Sequence, residues 1–315
     1  MRNAAMNAIY DLAKRDPRVV FIGSDLGAGV LDEMRRELPG RFFMEGVSEQ
    51  AIVGLAAGLA MDGYLPYINT IATFLTRRCF EQVAIDLCLH DLPVRLIASG
   101  GGTVYAPLGP THMATDDIGI LRTLPNMAIV APADAPEMTR AMEASLGWPG
   151  PLYVRIAKGG DPVVSSPDVP FAIGRAIPMR VGGDILFIGT GVMTTAAIGA
   201  SDVLRAGGID AGVLHVHTVK PLDREAIVAA AARVALVVSV EEHSLIGGLG
   251  SAIAELFADE SVAVPLLRLG LPDRFPREYG SQAHALSVAG LTPTAIAAAA
   301  ARRFQASNRL PATPR

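Results

Sequence analysis

Residues 46–71 read GVSEQAIVGLAAGLAMDGYLPYINTI. Ser48 stands where a side chain can cap a helix, and Glu49 falls in the first turn, where the helix dipole favours a carboxylate. The ten residues from Ala51 to Ala60 are all Ala, Gly, Leu, Ile or Val, so the helix over 48–62 is expected to be buried. A short strand, Leu65–Ile71, follows. Working outward, the same alternation recurs. Strand-like runs lie at Val19–Gly23, Val94–Ala98, Ala128–Ala131 and Leu152–Ile156, between helical patterns near 3–15, 76–90, 116–123 and 134–146. Continuously apolar strands of this length predict a parallel sheet covered on both faces, and hence an α/β fold.

The pattern breaks over 158–184, which carries four prolines and no helical period. This is expected to be a connection between domains, holding at most one short strand pair. Alternation restarts with strand Ile185–Gly189 and helix 192–206, then strand Gly212–Val216, helix 223–232, strand Ala235–Val240 and helix 248–258. A last helix is expected near 292–304.

The chain has 315 residues, half of them hydrophobic and 18% charged, which excludes a mainly disordered chain. Lys and Arg number 27 against 31 Asp and Glu, so there is no basic excess with which to hold nucleic acid. Two cysteines, Cys79 and Cys88, make no disulfide framework and read as buried thiols. The N-terminal segment reads as an amphipathic helix, not a signal peptide, and no 18-residue apolar run is free of charges or turn residues. A cytoplasmic location is expected.

Five segments can carry chemistry. Glu49 is either an ordinary first-turn carboxylate or one held at the mouth of a buried helix for proton work. The stretch SGGGTVYAPLGPTHMATDD (99–117) follows a strand, and ligands in such sheets sit outside the carboxyl ends of strands; His112 is either exposed and inert or turned toward such a ligand. In IATFLTRRCFEQ (71–82), Phe74 and Phe80 flank Arg77 and Arg78, as core residues or as a stacking platform. Arg155, at the end of an apolar strand, needs either an internal carboxylate or a bound anion. In VSVEEHSLIGGLGSAIAEL (238–256), glycines lead into a helix, as an anion nest or, as we prefer, a tight turn. His215 and His217 share a strand face at a spacing a metal could use, but no third ligand accompanies them.

In this order the segments resemble the C-terminal half of transketolase. They are also similar to the matching parts of 1-deoxyxylulose-5-phosphate synthase and, more distantly, of 2-oxo acid dehydrogenase β subunits. The resemblance is carried by GSDL (23–26), GVSEQAIVGLAAGLA, PYINTIATFLTRRCFEQ, GPTHMATDDIGILRTLPNMAIVAPADAPEM, PLYVR, VKPLDREAI and VEEHSLIGGLGSAIAEL. It implies a pyrimidine-binding domain over 1–165, a linker over 166–184, a transketolase C-terminal domain over 185–306 and a flexible tail over 307–315. It implies thiamine diphosphate as cofactor. Glu49 would meet the aminopyrimidine N1′ and start cofactor activation. Phe74 would stack on the same ring, with Phe80 behind it and with Asp25 and Arg77 near the cofactor. His112 would act on substrate hydroxyls or the oxyanion, and Arg155 would bind a sugar phosphate.

The chain also departs from the family. Leu108 replaces the acidic residue before GPTH, and Gly100 replaces a histidine. No serine matches the phosphate-binding one near Gly29, and Tyr105 is an unusual residue that would help shape the substrate pocket. No GDG segment followed by a distant Asn, the family's Mg²⁺–diphosphate motif, occurs anywhere in the chain. The resemblance therefore implies the β subunit of a split transketolase-like enzyme. Such a chain, expected as a homodimer within an α2β2 heterotetramer, would work with a diphosphate-binding partner that holds Mg²⁺. It would transfer a two-carbon ketol unit between sugar or sugar-phosphate donors and aldehyde acceptors. The alternatives are a carboligase that decarboxylates a 2-oxo acid and a non-catalytic partner subunit.

Overall fold

The computed structural model describes residues 1–23, 28–277 and 279–309. Twelve strands are described: β1 (Val19–Gly23), β2 (Phe42–Met44), β3 (Leu65–Ile71), β4 (Arg95–Ser99), β5 (Ala128–Val130), β6 (Leu152–Ile156), β7 (Ile177–Arg180), β8 (Ile185–Gly189), β9 (Ala211–His215), β10 (Thr218–Lys220), β11 (Leu236–Ser244) and β12 (Leu266–Leu271). The helices are α1 (Arg2–Arg15), α2 (Asp32–Glu37), α3 (Glu49–Met61), α4 (Phe80–Gln82), α5 (Asp117–Arg122), α6 (Ala135–Ser145), α7 (Met193–Ala206), α8 (Arg224–Ala231), α9 (Leu249–Asp259), α10 (Gln282–Val288) and α11 (Pro293–Arg309).

The first sheet has the order β10-β5-β6-β4-β3-β1-β2, parallel except at β10. The second has the order β12-β11-β8-β9-β7, parallel except at β7. Each sheet carries an apolar cluster on both faces, as continuously apolar strands require. Every residue of β1, β4, β6, β8 and β9 is buried. Helix α1 shows how a covering helix is specified. Ala5, Met6, Ile9, Leu12 and Ala13 recur at three- and four-residue spacing and face the sheet, and Lys14 and Arg15 sit in the last turn against the dipole.

The structure departs from the sequence expectations in several places. The helix expected over 76–90 is two π-helical stretches, Phe74–Arg78 and Val83–Leu89, joined through α4; an added residue in a helical run is absorbed this way, frequently beside functional sites. Helix α3 is buried on one face only, through Glu49, Ile52, Val53, Ala56, Ala57 and Ala60. Ala51, Gly54, Leu55, Gly58 and Met61 are exposed. Ser48 does occupy the N-cap, but its hydroxyl donates to the Glu45 carbonyl and accepts nothing from the helix. Inside the expected linker, β7 is a single edge strand of the second sheet, paired with β9. β10, from the second half of the chain, caps the first sheet instead.

Helix α11 runs to Arg309, so it includes the first residues of the expected tail; 310–315 lie outside the described residues. Gln282–Ala306 is the one stretch among the described residues with the length and hydropathy to cross a membrane. The chain turns within it at Gly290, φ +71°, and Leu291, Ile296, Ala297 and Ala300 are buried in the second-sheet core.

Candidate active site

The segments with chemistry gather outside the carboxyl ends of the first sheet's strands, where an open parallel sheet leaves its crevice. β3 feeds directly into the π-helical stretch bearing Phe74. β4 feeds into the glycine loop that ends at His112. Helix α3 presents Glu49 from its first turn.

Glu49 is 3% exposed. Its Oε2 lies 2.8 Å from Nη1 of Arg78. The Arg78 guanidinium lies over the ring of Phe74, 4.3 Å from its centroid. The Phe74 ring in turn meets the imidazole of His112 edge-on, with centroids 5.3 Å apart. Three residues singled out in the sequence, Glu49, Phe74 and His112, therefore share one wall, and Arg78 joins them. His112 Nδ1 lies 2.8 Å from the Thr111 hydroxyl oxygen, which fixes one edge of the imidazole.

The remaining sequence candidates are placed differently. Arg77 does not face Glu49. Its guanidinium grips both carboxylate oxygens of Asp116 and donates to the Met113 carbonyl, strapping the His112 loop to the π-helical stretch. In the sequence Arg77 and Arg78 are equivalent neighbours; the helical rotation between them sends only Arg78 to the carboxylate. Phe80 packs half-buried against the first-sheet core. Asp25 lies outside the described residues.

Arg155 takes the internal partner that its sequence position left open. It is 7% exposed; Nε and Nη2 bind the two oxygens of Asp117 at 2.8 and 3.0 Å, and Nη2 also donates to the carbonyls of Ala114 and Glu242. A phosphate would have to displace this carboxylate, so the reading of Arg155 as a phosphate ligand gives way to a structural ion pair. Burial opposes ionisation of Asp117, but Arg155 overrides it and holds the carboxyl below its usual range.

The departures in the glycine loop have a steric cause. A Cβ on Gly100 would fall 2.1 Å from the Tyr105 ring, and one on Gly101 would fall 2.5 Å from Arg155 Cγ. Tyr105, half-buried, thus fills the space a side chain at position 100 would take. Leu108 is 52% exposed at the end of the next turn. Behind the loop, away from Glu49, a cavity of about 570 Å³ opens between Arg77, Asp116, Ser244 and the segment 271–277.

The anion nest before α9 is filled by the protein itself. Glu241 accepts from the backbone N–H groups of Leu249 and Gly250 at 2.7 and 2.8 Å. His215 is held between Glu137, 2.9 Å from Nε2, and Thr194, 2.6 Å from Nδ1. Among the described residues no cluster of three or more His, Cys, Asp or Glu side chains is arranged to hold a metal ion.

The Glu49 wall suits the aminopyrimidine end of thiamine diphosphate. A planar nitrogen-bearing cation already lies against Phe74 and hydrogen-bonds Glu49, and these are the two contacts a flat protonatable heteroaromatic ring requires.

Comparison with known proteins gives the family. Residues 1–160 match the family model "Transketolase, pyrimidine binding domain", and residues 174–296 match "Transketolase, C-terminal domain". The chain is 38% identical over 305 residues to the 1-deoxy-D-xylulose-5-phosphate synthase of Synechococcus sp. (strain JA-2-3B'a(2-13)), covering 95% of this chain and 47% of that protein. It therefore spans about half the length of the curated synthases it matches. It is 35% identical to the 6-deoxy-6-sulfo-D-fructose transketolase subunit SqwH of Clostridium sp. (strain MSTE9), covering 95% of this chain and 93% of that one. Among solved structures, a split gene transketolase in an inactive β4 tetramer superposes with a TM-score of 0.89 at 34% identity, covering 96% of this chain and 98% of that one. With both domain models in order and subunit-sized relatives matched nearly end to end, the chain belongs to the transketolase family, whose enzymes depend on thiamine diphosphate.

Proposed function

We propose that this chain is the β subunit of a split transketolase-like enzyme that moves a two-carbon ketol unit from a ketose to an aldehyde acceptor. The observation that carries the reading is the wall of Glu49, Phe74 and His112, joined through Arg78. Beside it, the exposed face of α3 presents Gly54, Leu55, Gly58 and Met61, and the neighbouring π-helical stretch exposes Ile85 and Leu89. Apolar surface left exposed along the helix that carries Glu49 and its neighbour suits a protein partner. The proposed partner supplies the diphosphate site and Mg²⁺, and the assembly is α2β2. The near-complete match to subunit-sized relatives supports this arrangement.

When bound, thiamine diphosphate supplies a carbanion-forming thiazolium that cleaves and rejoins bonds beside a carbonyl. The work of this chain is to direct it. Glu49 holds or releases a proton at the pyrimidine ring nitrogen. Phe74 fixes the plane of that ring. His112, oriented by Thr111, donates to the substrate oxygen on which negative charge develops. Tyr105 over Gly100, with Leu108 in place of an acid, makes this side of the substrate pocket bulkier and less polar than the family pattern, which suits an altered or smaller donor.

The test is ketol transfer by the chain with and without a diphosphate-domain partner. Transfer should need both chains, and Glu49→Gln should lower it at least 100-fold in an intact complex, the scale of a lost acid–base group. Full turnover by this chain alone would sink the split arrangement. The 38% identity to the synthases favours one second reading, decarboxylation of a 2-oxo acid followed by carboligation. Release of CO2 from pyruvate without transfer from a ketose would establish that reading in place of the first.

A further inference from the structure

We propose that Arg78 competes with the cofactor's aminopyrimidine for Glu49 and Phe74, so that cofactor binding is an exchange of one flat nitrogen-bearing group for another. The proposal rests on the cofactor reading above and concerns a residue to which that reading assigns no part. The Arg78 guanidinium makes both contacts the aminopyrimidine needs. Its plane carries its charge over Phe74 at 4.3 Å, and its Nη1 donates to Glu49 at 2.8 Å. One ring face and one carboxylate edge cannot serve two planar groups at once.

The surroundings fit an exchange better than a permanent pair. Glu49 is 3% exposed with Arg78 over it, and its carboxylate needs a hydrogen-bonding partner, a place that Arg78, the incoming ring or water admitted when the half-exposed Arg78 side chain leaves can each fill. The Arg78 side chain is 44% exposed, so it reaches water by rotating about its own stem, with little desolvation to overcome. Its backbone stays in place: its carbonyl accepts from Gln50 Nε2 at 3.1 Å, and it closes the π-helical stretch. Arg77, one residue earlier, is anchored to Asp116 and cannot substitute. Arg78 thus protects the carboxylate until the cofactor arrives, at the cost of some cofactor affinity.

The test is calorimetric titration of thiamine diphosphate, with Mg²⁺, into this chain assembled with its diphosphate-binding partner, comparing wild type, Arg78→Met and Arg78→Lys. Methionine keeps the stem and removes the charge and the plane. An exposed cation–π contact and a half-exposed ion pair together set an expected gain of about fivefold to tenfold in affinity for Arg78→Met. Arg78→Lys, which keeps only the charge, should fall between the other two. If wild type binds and Arg78→Met binds equally or more weakly, the competition is overturned and the cofactor reading stands. If no form binds the cofactor, the cofactor reading fails and takes this proposal with it.

Discussion

Two arginine–carboxylate pairs in the first domain have the same 2.8 Å separation and opposite characters. Arg78–Glu49 joins a half-exposed cation to a buried anion through one nitrogen. Arg155–Asp117 is sealed, with side chains 7% and 0% exposed. Asp117 also accepts from the Tyr153 hydroxyl at 2.7 Å, and Arg155 reaches two backbone carbonyls besides. Burial and the nearby carboxylate raise the Tyr153 phenol well above its usual range, so it donates at any working pH. Glu242 continues the sealed region, receiving Thr103 and Gln282 while burial raises its carboxyl. Distance alone therefore does not tell a structural pair from an exchangeable one. What separates them is how many donors are committed and whether either partner can reach water.

The largest expected effect comes from opening the sealed pair. Asp117→Ala leaves the Arg155 charge buried and the Tyr153 hydroxyl without its acceptor, and should cost about 3–5 kcal/mol in urea unfolding. Replacing both partners, as Asp117→Leu with Arg155→Met, removes the stranded charge and should recover most of the loss. If Asp117→Ala costs under about 1 kcal/mol, the sealed description is wrong and Arg155 becomes available again as an anion ligand.

The sequence marked Arg155 as a charge in need of a partner but not which partner. Asp117 lies 38 residues earlier on a different element, and nothing local points to it. The strands were legible where both faces are covered: β1, β3, β6 and β8 occupy their expected ranges because short, mainly apolar runs without helical period permit little else, even with Asn69 and Thr70 in β3 and Arg155 in β6. β2 and β12 were missed because they are partly exposed edge strands, β2 only three residues long and β12 interrupted by Arg268 and Gly270; β7 lies where at most a short strand pair was expected. β10 was missed because it is three residues long and pairs across the two halves of the chain. Within the site, residue types left Glu49, Phe74 and His112 open between bland and functional readings, and the family resemblance singled them out. Arg78 was passed over for Arg77 because the choice depends on the π-helical register, which leaves no sign in composition. Helix α3 was expected to be buried throughout because its composition is apolar on every side; composition does not reveal that one face is left exposed among the described residues.

A second effect extends the contrast from charges to protons. His217, fully buried, stacks on Phe171 at 4.1 Å and has no hydrogen-bond partner at Nε2 among the described residues. Burial, reinforced by neighbouring His215, holds its pKa down to about 4 from an ordinary 6.5. The unfolded chain therefore binds this proton more readily than the folded one. The stabilisation is fully present above pH 6.5 and is lost as the pH falls toward 4, amounting to up to ~3 kcal/mol. His217→Gln should flatten this acid limb in a series of urea melts across that range. An unchanged limb would mean that the region admits water and is not sealed.

The smallest effect sharpens the contrast most. Arg78→Met removes a pair whose cation is 44% exposed and screened by solvent, so its loss should cost no more than ~1 kcal/mol of folding stability. A double-mutant cycle of Arg78→Met with Glu49→Gln should give a coupling of about 0.5–1 kcal/mol, against 3 kcal/mol or more for Arg155 with Asp117. Both cycles can be read from the same urea titrations. A weak coupling at Glu49 is what an exchange requires, because an arginine tied there as firmly as Arg155 is to Asp117 would hold the site against any incoming ring. A coupling at Glu49 as large as the one at Asp117 would make both pairs structural and remove the difference between them.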